Sequence, residues 1–247
     1  MVELIKMEFK SCYQRIGIAL LGSMAIGCIS ILTNSALIRG NFSITGMIIW
    51  TFALIGVICV FIYNVITSFS RRLFSHEGYL SLTLPVSSRQ LVLAKYIVQL
   101  IWLFFIFLAS LILVGLFALS VGRPFSEALQ VLGELIKFYF GNVEGLFTVF
   151  YIVSYITFGV MSVWFFLTWM HTKILRSRRV LAAVIFWYIF NSSFGLVMTE
   201  INKAVFGYFY YNFDTVILLF SGIIYSVFAV LFFMGITYLL DYHIELE

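Results

Sequence analysis

The sequence predicts an all-α, polytopic membrane protein with six transmembrane helices, and three observations carry that prediction. Hydrophobic residues make up 63% of the 247 positions and charged residues 11%, against roughly 45–50% and about 25% in ordinary soluble domains. A water-facing surface cannot be built from that inventory. Six segments, 16–38, 44–69, 96–121, 145–170, 180–198 and 215–240, contain no Asp, Glu, Lys or Arg. The shortest has 19 residues, and about 20 helical residues at about 1.5 Å each cross a hydrocarbon core of about 30 Å. Barrel strands are much shorter, and a backbone in lipid must satisfy its amides internally, so each segment is a helix.

Taken in order, residues 1–15 are expected to form an amphipathic helix lying in the membrane interface. Val2, Ile5, Phe9, Cys12 and Ile16 recur at spacings of three or four, with Lys6, Lys10 and Gln14 on another face. This helix should enter the first span by a bend near Gly17. The first span is longer than a signal-peptide core and follows a segment of mixed charge, so it is expected to stay in place. Ala19, Ser23 and Gly27 give it a ridge of small residues suited to close helix packing. Residues 16–247 read as a single six-helix transmembrane domain. Between the third and fourth spans, residues 126–140 are again amphipathic, with Glu127, Gln130, Glu134 and Lys137 opposite Leu129, Leu132, Ile136 and Tyr139. The stretch EINKAVFGYFYYNF, 200–213, suits either a partly re-entrant hairpin or an aromatic belt.

An even number of crossings puts both termini on one side. That side carries Lys6, Lys10, Arg15, Arg71, Arg72, Arg89, Lys95, Lys173, Arg176, Arg178 and Arg179, whereas the other carries Arg39, Arg123, Lys137 and Lys203. The positive-inside rule therefore places both termini in the cytoplasm. The net charge of +4 is mostly this topological signal and gives no reason to expect a nucleic-acid partner. Cys12, Cys28 and Cys59 are odd in number and lie on the N-terminal segment and within spans, which argues against a disulfide framework or a zinc site.

The loop at 70–95, SRRLFSHEGYLSLTLPVSSRQLVLAK, is the most informative part of the chain. Ser87 as N-cap, Gln90 three residues later and Val86 with Leu91 form a capping box and a hydrophobic staple at the start of the third span. Pro85 disfavours helix at Leu84 and sets the preceding element apart. That element carries Phe74, Tyr79, Leu80, Leu82 and Leu84 beside Arg71, Arg72, His76 and Glu77. An apolar knob with a charged rim suits docking of another protein, and the same residues would also suit the headgroup region of a membrane.

The run Glu77, Gly78, Tyr79, Leu80, then Leu82, Thr83, Leu84, Pro85, Val86 and Ser87, followed by Arg89 and Lys95, resembles the corresponding loop of bacterial ABC-2-type transporter permeases. Six spans, an N-terminal amphipathic helix and a short C-terminal tail are similar to that family over essentially the whole chain, and the chain resembles small permeases that export antimicrobial or cytolytic peptides, such as phenol-soluble modulins. The resemblance implies a cytoplasmic coupling helix formed by Ser75, His76, Glu77, Gly78, Tyr79 and Leu80, seated in a groove of a separate ATPase subunit. It further implies two ATPase copies, which bind the ATP and magnesium, a second permease forming a homodimer, and a bacterial cell membrane as the location. The second and fifth spans would line the cargo path.

The chain contains no GxxxxGK[ST] phosphate loop, so ATP would be handled by a partner and no cofactor is expected to bind this chain directly. A proton- or ion-coupled transporter would need ionisable residues in its spans, and His76, His171 and His243 fall in expected cytoplasmic segments, as solvated loop residues rather than parts of a protease or metal centre. No catalytic residue is therefore expected. Asn64, Asn191 and Ser192, with Ser193, are the polar span residues that could line a cargo path or hydrogen-bond between helices. With 28 Phe and 14 Tyr, such a path suits an amphipathic peptide or other hydrophobic cargo; lipid or small-molecule export, or a non-transporting structural or sensory subunit in contact with membrane lipids, are the alternatives.

Overall fold

The computed structural model describes residues 2–37, 42–74, 87–120, 125–173, 179–206 and 214–242. Almost every one of them is helical, in seven helices: α1 (Val2–Leu37), α2 (Phe42–Phe74), α3 (Ser88–Ser120), α4 (Phe125–Gly141), α5 (Val143–Lys173), α6 (Arg179–Phe206) and α7 (Asp214–Tyr242). Six of these are long and apolar enough to cross a membrane, over Val2–Ile29, Thr51–Ser70, Ser88–Ile112, Val143–His171, Val180–Val205 and Thr215–Tyr242. This is the character of a multi-pass membrane protein. Each of the six helices contains the larger part of one charge-free segment.

The helices overrun those segments because charge marks the edge of hydrocarbon, not the end of a helix. α1 runs without interruption from Val2 through Gly17 to Leu37, so the expected bend does not break it; nothing occupies the space a Cβ at Gly17 would fill. Within its first turns Leu4, Cys12 and Ile16 are buried while Lys6, Lys10 and Gln14 are exposed. Residues 200–206 continue α6 by nearly two turns, where Lys203 Nζ reaches Glu200 Oε1 at 2.8 Å; the rest of the aromatic stretch, 207–213, lies outside the described residues.

The chain divides into two compact units. One comprises residues 1–68 and 93–137, the other 69–92 and 138–247. In the first, α2 buries Val57, Phe61, Asn64, Val65 and Ser68 and α3 buries Ala94, Lys95, Val98, Gln99 and Trp102, each set recurring at helical spacing along one face. Ser23 and Gly27, from the small-residue ridge of α1, are buried as well.

In the second unit α5 is central. From Phe158 to Met170 it buries Phe158, Val160, Met161, Val163, Trp164, Phe166 and Leu167, faces pointing in several directions, because it packs on both α7 and α6. α7 meets it closely at two glycines: a Cβ at Gly222 would fall 2.7 Å from the Phe150 ring, and one at Gly235 would fall 2.8 Å from Phe165. The rings fill the places that side chains would take, which lets the backbones approach.

The amphipathic stretch expected at 126–140 is α4. Its Gln130 Nε2 donates to Glu134 Oε1 at 3.1 Å on an exposed face, and Leu129 and Ile136 are also exposed. α4 joins α5 at a tight corner around Asn142. There the Phe138 carbonyl lies where a Cβ on Gly145 would be. Gly145→Ala should therefore lower stability by about 1–3 kcal/mol, the usual cost of forcing atoms into a packed site. Gly133→Ala, on the same helix with open space around its Cβ, should be neutral or stabilising by up to about 1 kcal/mol. Thermal unfolding of both variants in detergent checks the contrast.

Candidate functional site

The expected coupling residues Ser75, His76, Glu77, Gly78, Tyr79 and Leu80 lie outside the described residues, as do Pro85 and Val86. The far end of their loop is described. The Gln90 N–H donates to Ser87 Oγ at 3.4 Å, and the Leu91 N–H donates to the Ser87 carbonyl at 3.1 Å. Ser87 thus caps α3 as its position before the apolar run suggests.

Below that cap lies a polar cluster that the sequence reading missed. Lys95, counted above as a loop cation, is inside α3 with its side chain 2% exposed, and its Nζ donates to Glu8 Oε1 on α1 at 2.6 Å, the carboxylate being 14% exposed. The same ammonium donates to the Ser68 carbonyl on α2 at 3.2 Å. One turn along α3, Gln99 Nε2 donates to Ser68 Oγ at 3.2 Å. Beside Glu8, Phe9 stacks on Trp102 with centroids 5.0 Å apart and planes 5° from parallel. Lys95 and its neighbours thereby tie together α1 and the two helices that flank the loop.

A signal for this cluster was present in the sequence. Glu8 stands on the stripe Leu4, Glu8, Cys12 and Ile16, spaced by four, where every other member is apolar and buried. Lys95 stands likewise among Leu91, Val98 and Trp102. A lone charge on an apolar stripe needs a partner of opposite sign when the stripe is buried.

Asn64, one of the three expected path residues, is on α2 one turn from Ser68 and 2% exposed, and its Nδ2 has no hydrogen-bond partner among the described residues. The same holds for Gln99 Oε1 and Trp102 Nε1. Asn191 is on α6, in the second unit. Its Nδ2 donates to Ser162 Oγ on α5 at 3.4 Å and to the Trp187 carbonyl at 3.0 Å. Trp187 Nε1 donates to the same Ser162 oxygen at 3.0 Å, and Ser162 Oγ donates to the Gly159 carbonyl at 3.0 Å. Ser162 is wholly buried with its hydrogen-bonding capacity filled. Ser192, next in sequence, is exposed. Asn64 thus belongs to the first unit and Asn191 and Ser192 to the second, where Asn191 serves an interhelical bond.

Aromatic side chains surround that bond. Phe158 on α5 meets Phe190 and Phe194 of α6 and Tyr225, Phe228 and Phe232 of α7 at centroid distances of 4.9–6.5 Å. Towards one end of this stack, Ser226 Oγ donates to Ser154 Oγ at 3.0 Å, and Asn202 Nδ2 donates to Ser221 Oγ at 3.1 Å. His171, expected as a solvated loop residue, is in the last turns of α5, half-buried, with Nδ1 donating to the Leu167 carbonyl at 2.8 Å; the helix outruns the charge-free segment there.

No protein-family model, curated protein or solved structure matches this chain. What the two polar clusters do must be read from their own chemistry. The Ser162 cluster is a fastening whose polar groups bond one another and the backbone. Ser162→Ala removes an acceptor shared by two donors and should cost about 1–2 kcal/mol, near the upper end for hydrogen bonds between membrane helices. The check is chemical unfolding followed by the emission of Trp187, with Ser162→Thr, which keeps the hydroxyl, retaining most of the wild-type stability.

Proposed function

We propose that the chain is the transmembrane permease subunit of an ATP-binding-cassette exporter of the ABC-2 type, moving an amphipathic peptide or similarly hydrophobic cargo out of a bacterial cell. The observation that carries this reading is the ordered run Glu77, Gly78, Tyr79, Leu80 to Ser87 between two spans of a chain that has no phosphate loop of its own. ATP is hydrolysed by two copies of a separate subunit that dock on this loop from the cytoplasm, where both termini also lie.

Several features support it. A coupling element must pass force into the membrane, and Lys95 joins the α3 stem of the loop to α2 through the Ser68 carbonyl and to α1 through Glu8. The outer side of the first turns of α1, with Lys6, Lys10 and Arg15 exposed beside Met7 and Tyr13, suits an interfacial segment at anionic headgroups. Among its described residues α6 buries only Ala183 and Met198, leaving most of its length to lipid or to a second permease, as a path-lining span of a homodimer requires. The six charge-free segments, with their many aromatic residues, fit a cargo with apolar faces.

Purification of the tagged chain from its host in mild detergent, with mass spectrometry of accompanying proteins, tests the reading. A partner carrying Walker motifs is expected. Recovery of the chain alone or with partners that lack them would overturn ATP-driven export in favour of a structural or sensory subunit. Given the partner, Tyr79→Ala should weaken its binding by at least about tenfold, as truncation of an aromatic anchor commonly does, and Glu77→Arg should separate ATP hydrolysis from cargo release without preventing membrane insertion. Binding measured on the purified subunits and transport measured in vesicles check the two outcomes.

A further inference from the structure

We propose that the first turns of α1 form a cover over the seam between α2 and α3, latched by the Glu8–Lys95 ion pair and poised to lift. Two adjacent residues of α1 make the closure: Glu8 holds the Lys95 ammonium at 2.6 Å, and Phe9 lies flat on the Trp102 ring at 5.0 Å. Both contacts are on one side of the helix, and Cys12, one turn on, is 1% exposed beneath the same cover.

The seam behind the latch holds several buried polar atoms. Asn64 Nδ2, Gln99 Oε1 and Trp102 Nε1 are buried without hydrogen-bond partners among the described residues, in side chains 2%, 3% and 6% exposed. Asn64 is one turn from Ser68, and Trp102 is one turn from Gln99. The Gln99–Ser68 bond at 3.2 Å joins the two helices between them. A dry, unpaired polar atom costs free energy that it regains on meeting water. The closed arrangement therefore holds three groups away from hydration, and the ion pair with the ring stack is what opposes their release. Removing one charge of the pair removes the 2.6 Å bond that joins α1 to α3 and so weakens the hold of the cover. Lifting α1 would at once part the Phe9–Trp102 stack and open the Trp102 N–H, and with it the seam, to water.

A native thiol reads the cover directly. In the full-length protein in nanodiscs, with Cys28→Ser and Cys59→Ser, Cys12 is the remaining cysteine; its labelling by a hydrophilic maleimide should be slow. Glu8→Gln and Lys95→Met should each speed it at least about tenfold, an equilibrium shift of about 1.4 kcal/mol. Trp102→Phe, which keeps a ring for Phe9 and removes one unpaired N–H, should slow it below the parent rate by about threefold. Leu167→Cys, wholly buried in the other unit and introduced with Cys12→Ser, should stay protected in both charge variants. Equal Cys12 rates in the parent and charge variants, faster labelling in Trp102→Phe, or Leu167→Cys reacting in step with Cys12 would each overturn the latch. The labelling needs no ATPase, so its outcome stands apart from that of the co-purification.

Discussion

A backbone amide inside hydrocarbon has no water to turn to, and that constraint organises this protein at every scale. It makes the spans helical, because only there does each N–H find its carbonyl within the segment. It also governs the side chains. Ser23 donates to Leu20, Thr67 to Tyr63, Thr157 to Val153, Thr168 to Trp164 and Thr237 to Met234, each hydroxyl spending its proton on a carbonyl of its own helix. A hydroxyl so used can face lipid or a close neighbour without a dangling donor. Polar residues in the spans are accordingly a poor guide to a path, since most of them are already engaged.

The same constraint leaves helix association without much hydrophobic drive, because lipid tails are as apolar as the side chains they would be exchanged for. The two units meet this in different ways. Around α5 the answer is shape: the rings of Phe150 and Phe165 lie against Gly222 and Gly235, Phe69 stacks on Trp164 at 4.9 Å, and the Ser162 oxygen collects two donors from α6. Around α3 the answer is charge. An ammonium and a carboxylate are brought out of water together, at a desolvation cost that only short, well-placed bonds offset. Among the described residues, packing of the first kind leaves no buried side-chain polar atom without a partner, while the second leaves three.

The six spanning helices were legible because charge is excluded from hydrocarbon, so gaps in the charge pattern locate them. Their ends were not, since the rule marks where charges stop and says nothing of helices continuing past them, as α1, α3 and α6 do. Lys95 shows the cost. Treated as a loop cation it counts toward topology, yet it lies within a helix and is buried, a fact readable from its place on an apolar stripe once a matching acid on another stripe is sought. Ser87 was legible because capping is local. The partner of Asn191 was not, because an interhelical bond depends on which helices meet, and the identity of Ser162 as its acceptor is a property of the packed α5–α6 pair. The residues of the proposed coupling loop were drawn from resemblance, and their own geometry lies outside the described residues.

On the proposed reading, the uneven distribution of satisfied and unsatisfied groups has a mechanical sense. A permease needs one part that keeps its shape and another that yields when a partner pulls. Aromatic interlocking resists small displacement, because every ring that shifts leaves a gap with no atom to fill it. An ion pair beside unpaired polar atoms behaves otherwise: displacement costs the pair but lets water reach Asn64, Gln99 and Trp102, so the loss is partly offset once the seam is open. An element whose two arrangements differ little in free energy can be switched between them by a small force. Lys95 sits two turns of α3 beyond the Ser87 cap, so force applied to the loop would reach the ion pair before it reached the deeper apolar contacts of the same helices.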